Sequence, residues 1–332
     1  MSLQRAWLRR GALAWSLRPV SWIYGALAAA HRVLYRLGLR RARRLTVPVV
    51  VVGNVVAGGA GKTPVVIALV EHLKARGLRP GVISRGYGRR GEAAYREVRP
   101  EDIDAQLTGD EPLLIARRCR VPVVVGAHRA QAGQLLLARH PQVQVLVCDD
   151  GLQHPALARD LEVCVFDARG TGNGWLLPAG PLREPWPRHA DLVLRPAAAG
   201  HIPGFDIGRR LAGEAVRADG TRRALADLAR EPLAAVAGIA QPEAFFDMLR
   251  AAGLTPVHTC ALADHHDFDT HPVGLPAGMA CVCTEKDAVK LWRQRPDAWA
   301  VPLQVEIDPA FWVAFDRLLA AKLSSTDGSE TA

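Results

Sequence analysis

Val47-Pro48-Val49-Val50-Val51-Val52-Gly53-Asn54-Val55-Val56-Ala57-Gly58-Gly59-Ala60-Gly61-Lys62-Thr63-Pro64 is the stretch that decides the fold. Residues 47–53 are almost purely β-branched, the composition of a strand buried on both faces of a parallel sheet. Glycines 58, 59 and 61 then loosen the backbone. Pro64 suits the first turn of a helix over 63–76 that carries Val66, Leu69, Val70 and Leu73 on one face. In this arrangement backbone N–H groups converge on a β-phosphate, Lys62 reaches the β/γ oxygens, and the Thr63 hydroxyl ligates Mg²⁺. The full phosphate-loop pattern asks for glycine where Val56 stands, so the strand and helix on either side carry the reading. The candidate nucleotide-binding set is Val56, Ala57, Gly58, Gly59, Ala60, Gly61, Lys62 and Thr63. Ala57 argues against the deviant ATPases that place a signature lysine there.

A phosphate loop needs a carboxylate for its metal at the end of a neighbouring buried strand. Val143-Gln144-Val145-Leu146-Val147-Cys148-Asp149-Asp150 supplies two, and Thr63, Asp149 and Asp150 are the candidate metal set. Further strand-like runs cover 81–84, 121–125, 162–166 and 192–194, with helical stretches between several of them. This alternation predicts an α/β fold with a doubly wound, mostly parallel sheet. Past residue 200 the pattern loosens into Ala, Gly, Pro and charge. It restarts at Leu233 with strands at 233–239, 280–283 and 301–305 and helices at 242–252, from 285, and at 309–322. The expected organisation is a P-loop core over 45–200, a connector over 201–232, a smaller α/β domain over 233–323 and a polar tail over 324–332.

The net charge of +9 is localised. Residues 1–44 hold ten arginines and no acid, the first acidic residue being Glu71, so the rest of the chain sums to about −1. Among those arginines stand Trp7, Trp15, Trp22, Ile23 and Leu27. Arg18 and Pro19 interrupt the apolar stretch 11–30, which makes it a poor membrane span. Export would carry a nucleotide site into a compartment without ATP. The expectation is a pair of amphipathic helices over 1–44, broken near Pro19, resting on a membrane surface; the alternative is that their apolar residues pack on the protein's own core. No base-reading module accompanies the arginines, which argues against nucleic acid. Six cysteines in apolar runs lack zinc-ligand spacing and read as buried reduced thiols.

Several segments together resemble the tetraacyldisaccharide 4'-kinases of lipid A biosynthesis. They are Val52-Gly53-Asn54 with the glycine loop, Ser84-Arg85-Gly86-Tyr87-Gly88, Gly109-Asp110-Glu111-Pro112, Asp149-Asp150-Gly151-Leu152-Gln153-His154, Leu177 to Pro185, Asp264-His265-His266 and Thr284-Glu285-Lys286-Asp287. The resemblance implies transfer of the ATP γ-phosphate, with Mg²⁺, to the 4'-hydroxyl of an acylated glucosamine disaccharide 1-phosphate. It places the protein peripherally at the cytoplasmic face of the bacterial inner membrane, with no obligate protein partner. It makes Asp110 the catalytic base, assisted by His265, with Lys62 on the phosphates. Arg85, Tyr87, Gln153, His154, Arg183 and Glu184 become substrate candidates. Read from the residues alone, Asp110 is better taken as a helix cap before Glu111-Pro112, and Thr284-x-x-Asp287 has capping-box form. That segment also lies where some P-loop proteins read guanine, but its lysine is displaced by one position, so ATP is expected.

Overall fold

The computed structural model describes residues 7–59, 61–89, 94–102, 104–276 and 278–327. The chain forms two compact units. The first takes the described residues up to Arg85, Gly126–Gly208 and those from Ile307 on; the second takes Gly86–Val125 and Arg209–Glu306.

In the first unit six strands lie side by side in the order Phe205–Leu211, Leu192–Arg195, Leu161–Val165, Val49–Gly53, Val145–Asp149, Pro80–Ser84. Every neighbouring pair is parallel. Val49–Gly53 is buried along its whole length, as its β-branched composition requires. Its register sets Val52 opposite Asp149, so the glycine loop and the acidic pair leave the sheet at the same edge. Ligands of open α/β sheets bind at that carboxyl edge.

The helix Lys62–Ala75 buries Val65, Val66, Leu69, Val70 and Leu73 against the sheet. The helix Pro309–Asp327 contributes the fully buried Phe311 and Phe315 to the same unit. His72 of the first helix stacks on Trp312 with ring centroids 4.3 Å apart and bonds Asp316 at 2.8 Å.

Among the described residues the N-terminal segment forms the helices Ala12–Ser16 and Arg18–Arg36, with Pro19 in the first turn of the second. They are held by a few groups on the 173–183 loop. Ser21 donates to the Leu176 carbonyl at 2.8 Å, Tyr24 to that of Arg183 at 2.8 Å, and the Trp7 indole to that of Pro178 at 2.9 Å. Trp15 meets Trp175 edge to face, and the Arg18 guanidinium lies 4.3 Å over Trp175. Ala14 and Leu17 pack with Trp175 and Ala179, while several large apolar side chains face outward: Trp22 and Ile23 are 62% exposed and Leu27 68%. No helix among the described residues is long and apolar enough to cross a membrane.

The second unit carries a six-stranded sheet in the order Arg222–Ala224, Glu214–Val216, Trp299–Val301, Ala280–Thr284, Leu233–Ala237, His258–Ala261. Its core gathers Leu211, Leu225, Leu228, Phe245, Phe246, Leu249 and Trp299. Residues 201–232, expected as a connector, therefore include two strands of this sheet, the helix Leu225–Leu228 and three leucines of its core. Residues 86–125, expected inside the P-loop core, belong to the second unit and hold the helices Ala105–Thr108 and Asp110–Cys119. Ser324–Asp327, expected in the polar tail, end the helix Pro309–Asp327, and residues 328–332 lie outside the described residues. Five of the six cysteines are buried, the exception being the half-buried Cys260.

Candidate active site

The glycine loop is tied down from both sides. Asn54, buried at the end of its strand, donates through Nδ2 to the carbonyls of Val56 and Gly58. Its Oδ1 accepts from Lys62 Nζ at 3.2 Å. From the other side the Ala57 N–H bonds the Pro181 carbonyl at 2.7 Å, and the Arg183 N–H bonds that of Val55 at 2.7 Å. Val56, the departure from the motif, pairs with Leu182 in an antiparallel bridge. A buried β-branched residue serves that bridge better than glycine would. Gly58 (φ +100°) and Gly61 (φ +73°) occupy backbone regions that disfavour side chains. No side chain caps the helix Lys62–Ala75, so its first N–H groups remain available to an anion. Ala60 lies outside the described residues.

Asp149 is buried at the end of its strand, where Ser84 Oγ donates to Oδ2 at 3.1 Å. Asp150 turns out of the sheet at φ +51°, and a Cβ on the next residue, Gly151, would lie 2.6 Å from the Cys148 sulfur. Asp150 faces Lys62 Nζ at 3.4 Å and Arg183 Nη1 at 3.0 Å. Burial pushes its pKa up, but Lys62 and Arg183 outweigh that and hold the carboxyl below its ordinary value. From Arg183 the network continues to Gln153 at 3.3 Å, from Gln153 to Glu184 at 2.7 Å, and from Glu184 to Arg188 at 3.4 Å. His154, close to Arg129, Arg85 and Asp150, is brought down to about 4 by burial and the two guanidinium groups, so it is neutral at pH 7. For a divalent cation the donors on offer are the Thr63 hydroxyl and the Asp149 and Asp150 carboxylates. These are hard oxygens without sulfur or imidazole, a set that fits Mg²⁺.

The second unit assembles a different cluster. Asp110 opens the helix Asp110–Cys119, but its side chain caps nothing. Its Oδ2 instead meets His265 Nδ1 at 3.0 Å and Lys290 Nζ at 2.9 Å. Burial raises the Asp110 pKa, and the His265 hydrogen bond with the Lys290 charge overcomes it, leaving the carboxyl below its usual value. His265 is held at φ +62°, with its N–H on the Gly238 carbonyl at 3.2 Å and its ring 5.7 Å from that of Tyr87. His266 turns away to the His271 carbonyl. Thr284 does cap the helix Glu285–Leu291, accepting from the Asp287 N–H at 3.1 Å.

The expected residues thus form two groups, one in each unit. Lys62, Asp150, Gln153, Arg183 and Glu184 are joined by direct contacts in the first, with Thr63, Asp149, Arg85 and His154 around them; Asp110, His265 and Tyr87 are together in the second. Sequence reading missed Asn54, Arg129, Arg188 and Lys290. Asn54 had a signal in its place directly after the strand; the other three had none, being single basic residues on ordinary helices and loops.

The family described as tetraacyldisaccharide-1-P 4'-kinase matches residues 13–320 of this chain. The tetraacyldisaccharide 4'-kinase of Acidovorax sp. (strain JS42) is 58% identical over 325 residues, 97% of this chain and 96% of its own. That of Polaromonas naphthalenivorans (strain CJ2) is 53% identical over 335 residues, 98% and 97% of the two chains. The crystal structure of LpxK from Aquifex aeolicus in complex with ATP matches with a TM-score of 0.80 at 28% identity, covering 92% of this chain and 99% of that one.

Proposed function

The chain belongs to the tetraacyldisaccharide-1-P 4'-kinase family, and from that premise we propose how its residues move the ATP γ-phosphate onto the 4'-hydroxyl of a tetraacyldisaccharide 1-phosphate. The observation that carries the proposal is the Lys62–Asn54 clasp on a glycine loop whose following helix is left uncapped. The loop N–H groups and Lys62 hold the β- and γ-phosphates. Bound Mg²⁺, held by Thr63, Asp149 and Asp150, would neutralise charge on the transferring phosphoryl group. Arg183 keeps Asp150 ionised and in place.

Asp110 takes the proton of the attacking hydroxyl. It is ionised at neutral pH, and its hydrogen bond to His265 fixes the carboxylate while giving the proton an onward path. Arg85, Gln153, His154 and Glu184 of the first unit, and Tyr87 of the second, are the residues we assign to the sugar and phosphate of the acceptor.

The acceptor is an amphiphile that the enzyme meets at a lipid surface. The outward Trp22, Ile23 and Leu27, followed by the exposed Arg36, Arg40, Arg41 and Arg44, support peripheral attachment to an anionic leaflet. We place this at the cytoplasmic face of the inner membrane, where ATP is available. The test is incubation of the full chain with γ-labelled ATP, Mg²⁺ and detergent-dispersed tetraacyldisaccharide 1-phosphate. Label on the lipid is the expected result. Label released only as inorganic phosphate would mean a hydrolytic switch and overturn the reading.

A further inference from the structure

Arg169 has no part in the network described above, yet its guanidinium lies on the glycine loop. A Cβ built on Gly58 would stand 3.3 Å from both Nη1 and Nη2 and 3.7 Å from Cζ of Arg169. The arginine is set there by Asp167, which follows the strand Leu161–Val165 and is only 4% exposed. Asp167 accepts from the Arg169 backbone N–H at 2.9 Å, from Nε at 3.1 and 3.0 Å, and from Nη2 at 2.6 Å. The carboxylate thus grips the Nε–Nη2 edge of the fork, and Nη1 is outside these bonds. A clamp of this kind removes most of the rotamer freedom that an arginine would otherwise lose on meeting its ligand.

We propose that Arg169 is a catalytic residue that contacts the terminal phosphate of the bound nucleoside triphosphate, with Asp167 as its positioning residue. This rests on the nucleotide reading of the loop. Gly58 stands four residues before Lys62, whose ammonium serves the β/γ oxygens, so a cation resting on Gly58 borders the same phosphates. In the transfer, the bond from the γ-phosphorus to the β–γ bridging oxygen breaks and its electron pair stays on the leaving diphosphate. A new bond forms to the acceptor oxygen, whose proton passes to Asp110. Charge on the γ oxygens and the bridging oxygen is what Nη1 of Arg169 stabilises, as an arginine supplied in cis. The same placement explains the glycine at 58 beyond its φ. A side chain there would displace the guanidinium.

The experiment measures lipid phosphorylation by full-length wild type, Arg169→Ala, Arg169→Lys and Asp167→Asn, together with equilibrium binding of fluorescent ADP. Arg169→Ala is expected to lower kcat by about 10²–10³ while ADP affinity changes by no more than about threefold, because the lost contact is to the γ-phosphate. Added guanidinium should restore part of the rate. Arg169→Lys keeps the charge without the fork and should fall about tenfold or more. Asp167→Asn should cost about tenfold alone and nothing further on top of Arg169→Ala, since it acts through the arginine. Arg169→Lys at the wild-type rate, or Arg169→Ala within about twofold of wild type, overturns the inference and leaves the kinase assignment standing. Additive effects of the two alanine and asparagine changes overturn the role of Asp167. Failure of wild type itself to label the lipid overturns the kinase reading and this inference with it.

Discussion

At the scale of single residues, Asp110 sits between a histidine and a lysine, and its protonation state follows from them. The carboxyl lies below its ordinary pKa because His265 and Lys290 overcome its burial. The acid limb of kcat/KM that belongs to Asp110 is therefore expected below the usual carboxylate range. Replacing Lys290 by methionine should move that limb to higher pH, and a pH–rate profile of the variant checks it. The same shift stabilises the fold above the unfolded-state pKa and is lost as pH falls through the folded one. Lys290→Met should accordingly be less sensitive to acid in unfolding titrations. Asp110→Asn is expected to lower kcat by about 10²–10⁴ with nucleotide affinity unchanged, measured by single-turnover transfer alongside nucleotide titration. Lys62, Asp149 and Asp150 could be proposed from the sequence because each stands in a short local pattern, and Asp110 only through the family resemblance. Lys290 could not, because its partner is 180 positions away and nothing around it in sequence records the meeting.

Among elements, the 173–183 loop does more than its composition suggests. It lays Leu182 against Val56, gives a carbonyl to Ala57, and receives Trp15, Ser21 and Tyr24 from the N-terminal helices. Its weak point is Gly180, where a Cβ would lie 2.3 Å from the Trp175 carbonyl oxygen and 2.2 Å from Asn173 Oδ1. Backbone cannot yield cheaply there. Gly180→Ala is expected to destabilise by about 1–3 kcal/mol, read as a shift in the denaturation midpoint, and to lower turnover by loosening the glycine loop. The strand–loop–helix at 49–75 was legible because buried strand, glycines and amphipathic helix agree with one another. Glu214–Val216 and Arg222–Ala224 were not: three residues are too few for alternation to register, and Gly213 and Gly220 beside them read as loop.

On the scale of the molecule, the charge asymmetry and the outward apolar face belong to the same segment. Replacing Ile23 and Leu27 by serine is expected to cut co-sedimentation with anionic vesicles severalfold while leaving transfer to a detergent-dispersed acceptor near the wild-type rate. Raising ionic strength should weaken vesicle binding further, since the arginines contribute through a screened attraction. The two-unit organisation was legible as a restart of the α/β pattern past residue 200. Its discontinuity was not. Sequence reads in order, whereas the chain passes between the units near 85, 125, 208 and 306.

The pairing of the helix Lys62–Ala75 with Trp312, Phe315 and Asp316 has a consequence for biogenesis. On the ribosome His72 of the nucleotide-binding helix emerges 244 residues before Asp316, the acid that stands among the aromatic residues packed against it. Until they arrive, His72 lacks its aromatic cover, and the long sequence separation makes that contact a late one. The tryptophan-bearing helices leave the tunnel ahead of both, while the nucleotide-binding unit is still incomplete. If the proposed lipid contact forms during synthesis, it precedes the arrival of Phe311, Trp312 and Phe315 and so the completion of the nucleotide-binding unit.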